Sequence, residues 1–241
     1  MIILDIHGPK IIYELPFFGV IPITETVIVS WGIIFLVFII IKILTTGLEK
    51  KDISKRQILA EKLVITMNNL VGSSMGKGND IFIPYITALF IFSFLSSLSG
   101  LVALRPPTAD FNMTFTWALM TFFMIQYNSL KYKGLKGYLK SFFQPIAFMF
   151  PMNIISELSV PVSISFRHFG NIASGLIITN LVYTVLAWCS LKIPIIGSYI
   201  PIFQVGLPAL LSVYFDLFSA FIQAFILISL TMAYVASAKE N

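Results

Sequence analysis

Arg167 lies within a stretch of roughly forty residues, Ile146 to Cys189, whose only other formal charge is Glu157. A guanidinium keeps its proton in any protein setting, so this charge cannot be shed on entering an apolar medium. At the centre of a bilayer it costs about 2.5–3.5 kcal/mol on insertion scales, and on the order of 10 in simulations. A fixed cation carried at that cost has a use. It can pair with a buried acid, hold an anionic substrate, or set the field along an ion path.

The neighbours bear on the choice. With about 100° per helical residue, Asn153, Ser156, Ser163, Asn171 and Ser174 all fall within about 40° of Arg167. Glu157 lies about 80° away, and Pro161 kinks the helix and loosens the phase before it. A structural ion pair needs one partner, whereas this is a polar seam running through Ile, Val, Phe and Leu. Near the C-terminus a second seam appears: Ser212, Asp216, Ser219 and Gln223 are spaced four, three and four apart, on one helical face. Gln223 alone reads as an interhelical hydrogen bond. Asp216 within its seam reads as part of a proton or ion path. His168 by itself reads as a packing or hydrogen-bonded residue, and as a relay group only if the path includes it.

The elements that must position these groups are membrane helices. Hydrophobic residues make up 57% of the 241, charged residues 11%, and the mean hydropathy is +0.90. Several apolar runs reach the ~20 residues needed to cross a bilayer. The expected fold is therefore all-α, a polytopic integral membrane protein forming a single membrane domain over 1–241. A β-barrel would show alternation in segments of about ten, which is absent. One cysteine, Cys189, excludes an internal disulfide, and with only His7 and His168 no metal or other cofactor is expected. The net charge of +5 is loop-borne and does not indicate nucleic acid.

In chain order, residues 1–24 are short apolar pieces broken by Pro and Gly, expected as an extended segment at the outer face. Three spans follow within 26–127: Thr26 to Leu44, Ile81 to Leu104, and Phe111 to Tyr127. Between the first two, Gln57 to Ser74 has the spacing of an amphipathic interfacial helix. Two segments, Pro145 to Ser190 and Pro201 to Ala238, would be about 65 Å and 55 Å long as straight helices. Against a hydrocarbon of about 30 Å, each must break or lie steeply tilted. About five membrane-embedded segments result. Lys50, Lys51, Lys55, Arg56, Lys62, Lys131, Lys133, Lys136 and Lys140 share one side; Lys10, Arg105 and Lys192 share the other. That bias places the N-terminus outside and the C-terminus in the cytoplasm.

The run Ser163-Ile-Ser-Phe-Arg-His-Phe-Gly-Asn171 resembles the arginine helix of subunit a from the membrane sector of bacterial F-type ATP synthases. Phe221 to Tyr234 is similar to the end of that subunit's last helix, and Pro107-Thr-Ala-Asp-Phe-Asn-Met-Thr114 to the lead-in to its third span. His7-Gly-Pro9 and Pro22-Ile-Thr-Glu25 resemble its N-terminal segment, so the likeness covers nearly the whole chain. The resemblance implies a stator subunit, without ATP chemistry of its own, in a bacterial inner membrane. Its partners would be c-ring subunits, b-type peripheral stalk subunits and membrane lipid, and its cargo H⁺ or Na⁺. Arg167 would face the ring carboxylate, with Gln223 and Asn171 beside it. Asp216 would line the outer access path, and Glu157 and Ser163 the cytoplasmic one.

Two positions depart from the family pattern. Leu176 stands where Glu or His is common, and His168 where leucine is common. From a different class, a secondary transporter binding an anionic substrate at Arg167 would also use the cation, but no internal repeat or paired Gly-broken spans support it.

Overall fold

The computed structural model describes residues 9–16, 20–48, 54–76, 78–102, 104–192 and 217–240. Ile11–Pro16 (β1) and Val20–Thr24 (β2) pair antiparallel, Ile11 opposite Thr24 and Pro16 opposite Val20. The expected extended segment is thus a hairpin. Its prolines are tolerated because both strands of a two-stranded ribbon are edges.

Helix α1 spans Glu25–Thr45 and is poorly covered: Trp31, Phe35 and Phe38 are each more than 60% exposed. Lipid is as apolar as leucine, so such a face needs no protein partner. A polar contact ties its start to the body, where Thr26 Oγ1 donates to Asp110 Oδ2 at 3.0 Å. Helix α2, Lys55–Met75, starts at Ser54, whose hydroxyl accepts from the Gln57 N–H at 3.3 Å. It buries Met67, Val71 and Met75 and leaves Ile58, Leu59, Val64 and Ile65 exposed, so apolar side chains stand on both faces and not on the single face that an amphipathic helix would show.

Helix α3, Ile83–Leu98, is flanked by short 3₁₀ turns. Helix α4, Phe111–Ser141, is capped by Asp110, which accepts from the Asn112 N–H at 3.0 Å. It continues well past the expected Tyr127, so the lysine-rich stretch is a helical arm and not a loop. The arm turns at Gly134, whose φ of 67° and ψ of 167° break the helix. That region is essentially restricted to glycine. Gly134→Ala should therefore cost about 1–3 kcal/mol through strain alone, since nothing lies within 4 Å of an added Cβ. A lowered thermal midpoint of the purified protein is the check.

Helix α5, Phe150–Leu191, runs 42 residues through Pro161 without a break. At 1.5 Å per residue it is about 63 Å long, so of the two alternatives for this segment the steep inclination holds. Helix α6 is Ser219–Glu240. The preceding part of the last segment, 201–216, lies outside the described residues, and with it Ser212 and Asp216.

The core forms where α6 lies against α2, α3 and α4. Ile86, Ala118, Ile228, Met232 and Val235 are all fully buried. Two polar ties cross it: Thr121 and Thr231 share a hydrogen bond at 3.1 Å, and Asn128 Nδ2 donates to the Val235 carbonyl at 3.5 Å. Among the described residues, four helical stretches are long and apolar enough to cross a membrane: 25–45, 80–102, 147–190 and 219–238. Helix α4 is more polar than these; its Thr114, Thr121 and Asn128 are buried in the protein interior and do not meet lipid.

Candidate functional site

Arg167 lies near the middle of α5, so an inclined helix of that length carries it at membrane depth. Its side chain is exposed on the outer face of the chain. Ser163 and Asn171, one turn to either side, are exposed with it, as are Ser156 and Ser174. The seam expected from spacing is present, and these four residues are exposed beside Arg167. Ile155, Leu158, Val162 and Phe166 border it, all exposed. Asn153 leaves the seam, because its amide donates to the Phe142 and Gln144 carbonyls at 2.8 and 3.0 Å and ties the α4–α5 connection.

His168 turns the opposite way. It is 3% exposed, its Nε2 shares a 3.4 Å hydrogen bond with Ser93 Oγ of α3, and its ring meets Trp117 of α4 edge-on at 5.5 Å. A side chain held on two sides fixes the rotation of α5 about its axis, and that rotation points the adjacent Arg167 outward. From α6, Gln223 is 4% exposed and meets Arg167 and His168 across a narrow cleft, with Ile164, Ile226, Leu227 and Leu230 as its apolar walls. The cleft holds about 10 Å³, room for a single water.

Glu157 stands apart. Ten residues before Arg167, it lies about 15 Å away along α5 and turns toward α4. There it accepts from Gln126 Nε2 at 3.1 Å and from the Tyr138 hydroxyl at 3.3 Å. Thus Arg167, His168 and Gln223 come together, Ser163 and Asn171 flank them, and Glu157 has its own cluster. Asp216 and the side chain of Leu176 lie outside the described residues. Sequence reasoning missed Ser93, Trp117, Gln126 and Tyr138. The available signal was a polar amide, Gln126, inside an apolar span; the contact between Gln126 and Tyr138 depends on the turn at Gly134.

A family model described as ATP synthase A chain matches residues 27–236. The chain belongs to that family. It is 29% identical to the "ATP synthase subunit a, sodium ion specific" of Propionigenium modestum, covering 95% of this chain and 84% of that protein. It is 31% identical to ATP synthase subunit a of Moorella thermoacetica, covering 91% and 92% respectively. Against ATP synthase subunit a of Acidothermus cellulolyticus the identity is 35%, over 77% of this chain and 65% of that protein. The membership makes this a multi-pass membrane-sector subunit of an F-type ATP synthase, an ion-translocating part of a multisubunit assembly and not its catalytic part.

Proposed function

We propose that this subunit a is the stator against which a ring of small carboxyl-bearing subunits turns. Arg167 is the fixed cation that each ring carboxylate must pass, and two offset half-channels bring H⁺ or Na⁺ to and from that point. Asp216 serves the outer path, Glu157 and Ser163 the cytoplasmic path, and Gln223, Asn171 and His168 support the arginine. The N-terminus lies outside and the C-terminus in the cytoplasm of a bacterial inner membrane, with c-ring and b-type peripheral stalk subunits as partners. The observation that carries this reading is the outward-facing polar seam centred on Arg167, midway along an inclined apolar helix, with Gln223 behind it. An exposed cation at membrane depth, whose cleft is lined by an amide, an imidazole and apolar side chains but no acid, is suited to an acid on another chain.

Cross-linking in the assembled complex tests it. Ser163→Cys and Asn171→Cys should each link to a cysteine placed beside the ring carboxyl. Ser165→Cys, whose parent side chain is fully buried, should not. Links from all three positions, or from none, would remove this face from the ring interface. Replacing Na⁺ by K⁺ in the same complex decides the ion: loss of flux marks Na⁺, unchanged flux marks H⁺.

A further inference from the structure

Glu157, Gln126 and Tyr138 form a closed hydrogen-bonded cluster at the lysine-rich end of the molecule. Twelve residues separate Gln126 from Tyr138, about 18 Å on a straight helix, yet the Tyr138 hydroxyl reaches the Gln126 Oε1. The break at Gly134 brings the two together. The phenol has one proton and two acceptors in reach, Gln126 Oε1 and Glu157 Oε2. Partial burial and the adjacent Glu157 carboxylate push the Tyr138 phenol up to about 12, so it keeps its proton at physiological pH. Pro161 has no N–H, so the Glu157 carbonyl lacks its usual helical donor and is a further acceptor at the same place.

We propose that this cluster is a proton-loading station at the cytoplasmic mouth, with Tyr138 and Gln126 as positioning residues for Glu157. The proposal deepens the reading above, on which it rests, and names the proton as the ion handled there. With Glu157 ionised, Gln126 Nε2 and the Tyr138 hydroxyl both donate to its carboxylate. When a proton arrives on Glu157, the carboxyl donates to Tyr138 Oη and the phenol proton turns to Gln126 Oε1. Gln126 Nε2 goes on donating to the carboxyl group. The carboxyl group of Glu157 stays hydrogen-bonded in both states, so a proton can be taken up or released without leaving it unpaired. Among the described residues, the one acid on the elements packed against α5 is Glu240, at the last position of α6. The charged side chains on α4 are Lys131, Lys133, Lys136 and Lys140, the turns 107–109 and 147–149 have none, and α6 has none before Lys239.

Tyr138→Phe removes the switching hydroxyl and leaves the ring in place. In proteoliposomes carrying the whole complex, with the pH of each side set independently, it should slow ATP-driven pumping about tenfold, the loss of one hydrogen bond to a charged acceptor. It should also shift the dependence of flux on cytoplasmic-side pH and leave the dependence on the other side unchanged. Wild-type flux, slowing without a one-sided shift, or flux that follows Na⁺ and ignores cytoplasmic-side pH would each overturn the station. If Arg167→Ala is inactive in the same assay while Tyr138→Phe is normal, only the station fails. Normal pumping by Arg167→Ala brings down the parent reading instead.

Discussion

Arg167→Ala should assemble with its partners and lose coupled, ATP-driven ion pumping by a factor of about 10²–10³, the usual loss when one electrostatic group is removed from a reacting centre. At 4 Å and an effective dielectric near 20, a guanidinium and a carboxylate attract by about 4 kcal/mol. That favours the ionised form of a ring carboxyl beside Arg167 by about a thousandfold. Without the cation, a protonated carboxyl can pass the stator and carry its ion back, so the ring can slip without net transport. The same charge repels a cation moving directly between the two paths, so passive leak should persist or rise as pumping falls. Assembly is expected to survive because the side chain is exposed and lies outside the α5 packing seam, which is formed by Ile164, Ser165 and His168. Pumping at the wild-type rate would end the role assigned to this residue.

Asp216→Asn should slow ion flux by on the order of 10²-fold while leaving the complex intact, within the range that a positioned proton-transfer group contributes. Asp216 precedes Gln223 by seven residues, two turns or about 10 Å on a continuous helix. The proposed half-channels need an acid on each access path, and Asp216 is the one assigned to the outer path. The amide keeps the shape and loses the titration. Stopped-flow quenching of a pH dye in proteoliposomes measures the rate, and unchanged flux would exclude Asp216 from the path.

Much of this protein can be read without coordinates. Apolar runs of membrane length and the 100° spacing around Arg167 both persist in the structure, since burial in lipid and helical periodicity are local consequences of residue type. The same spacing placed Ser163 and Asn171 on the arginine's face. Two local readings failed where a tertiary contact or one backbone angle decided the outcome: Asn153 turns to hold the α4–α5 connection, and α4 runs on through the lysines before bending at Gly134.

By itself the sequence determined that these are membrane helices, that a permanent cation lies within one of them, and to which family the chain belongs. Only the tertiary structure decided which way each polar group faces. Arg167 points out while His168 is held by Ser93 and Trp117, and Glu157 finds Gln126 and Tyr138. Those partners lie between 19 and 75 residues away in the chain. No local periodicity reaches that far, because the contacts are set by how helices pack and bend and not by the spacing within any one of them.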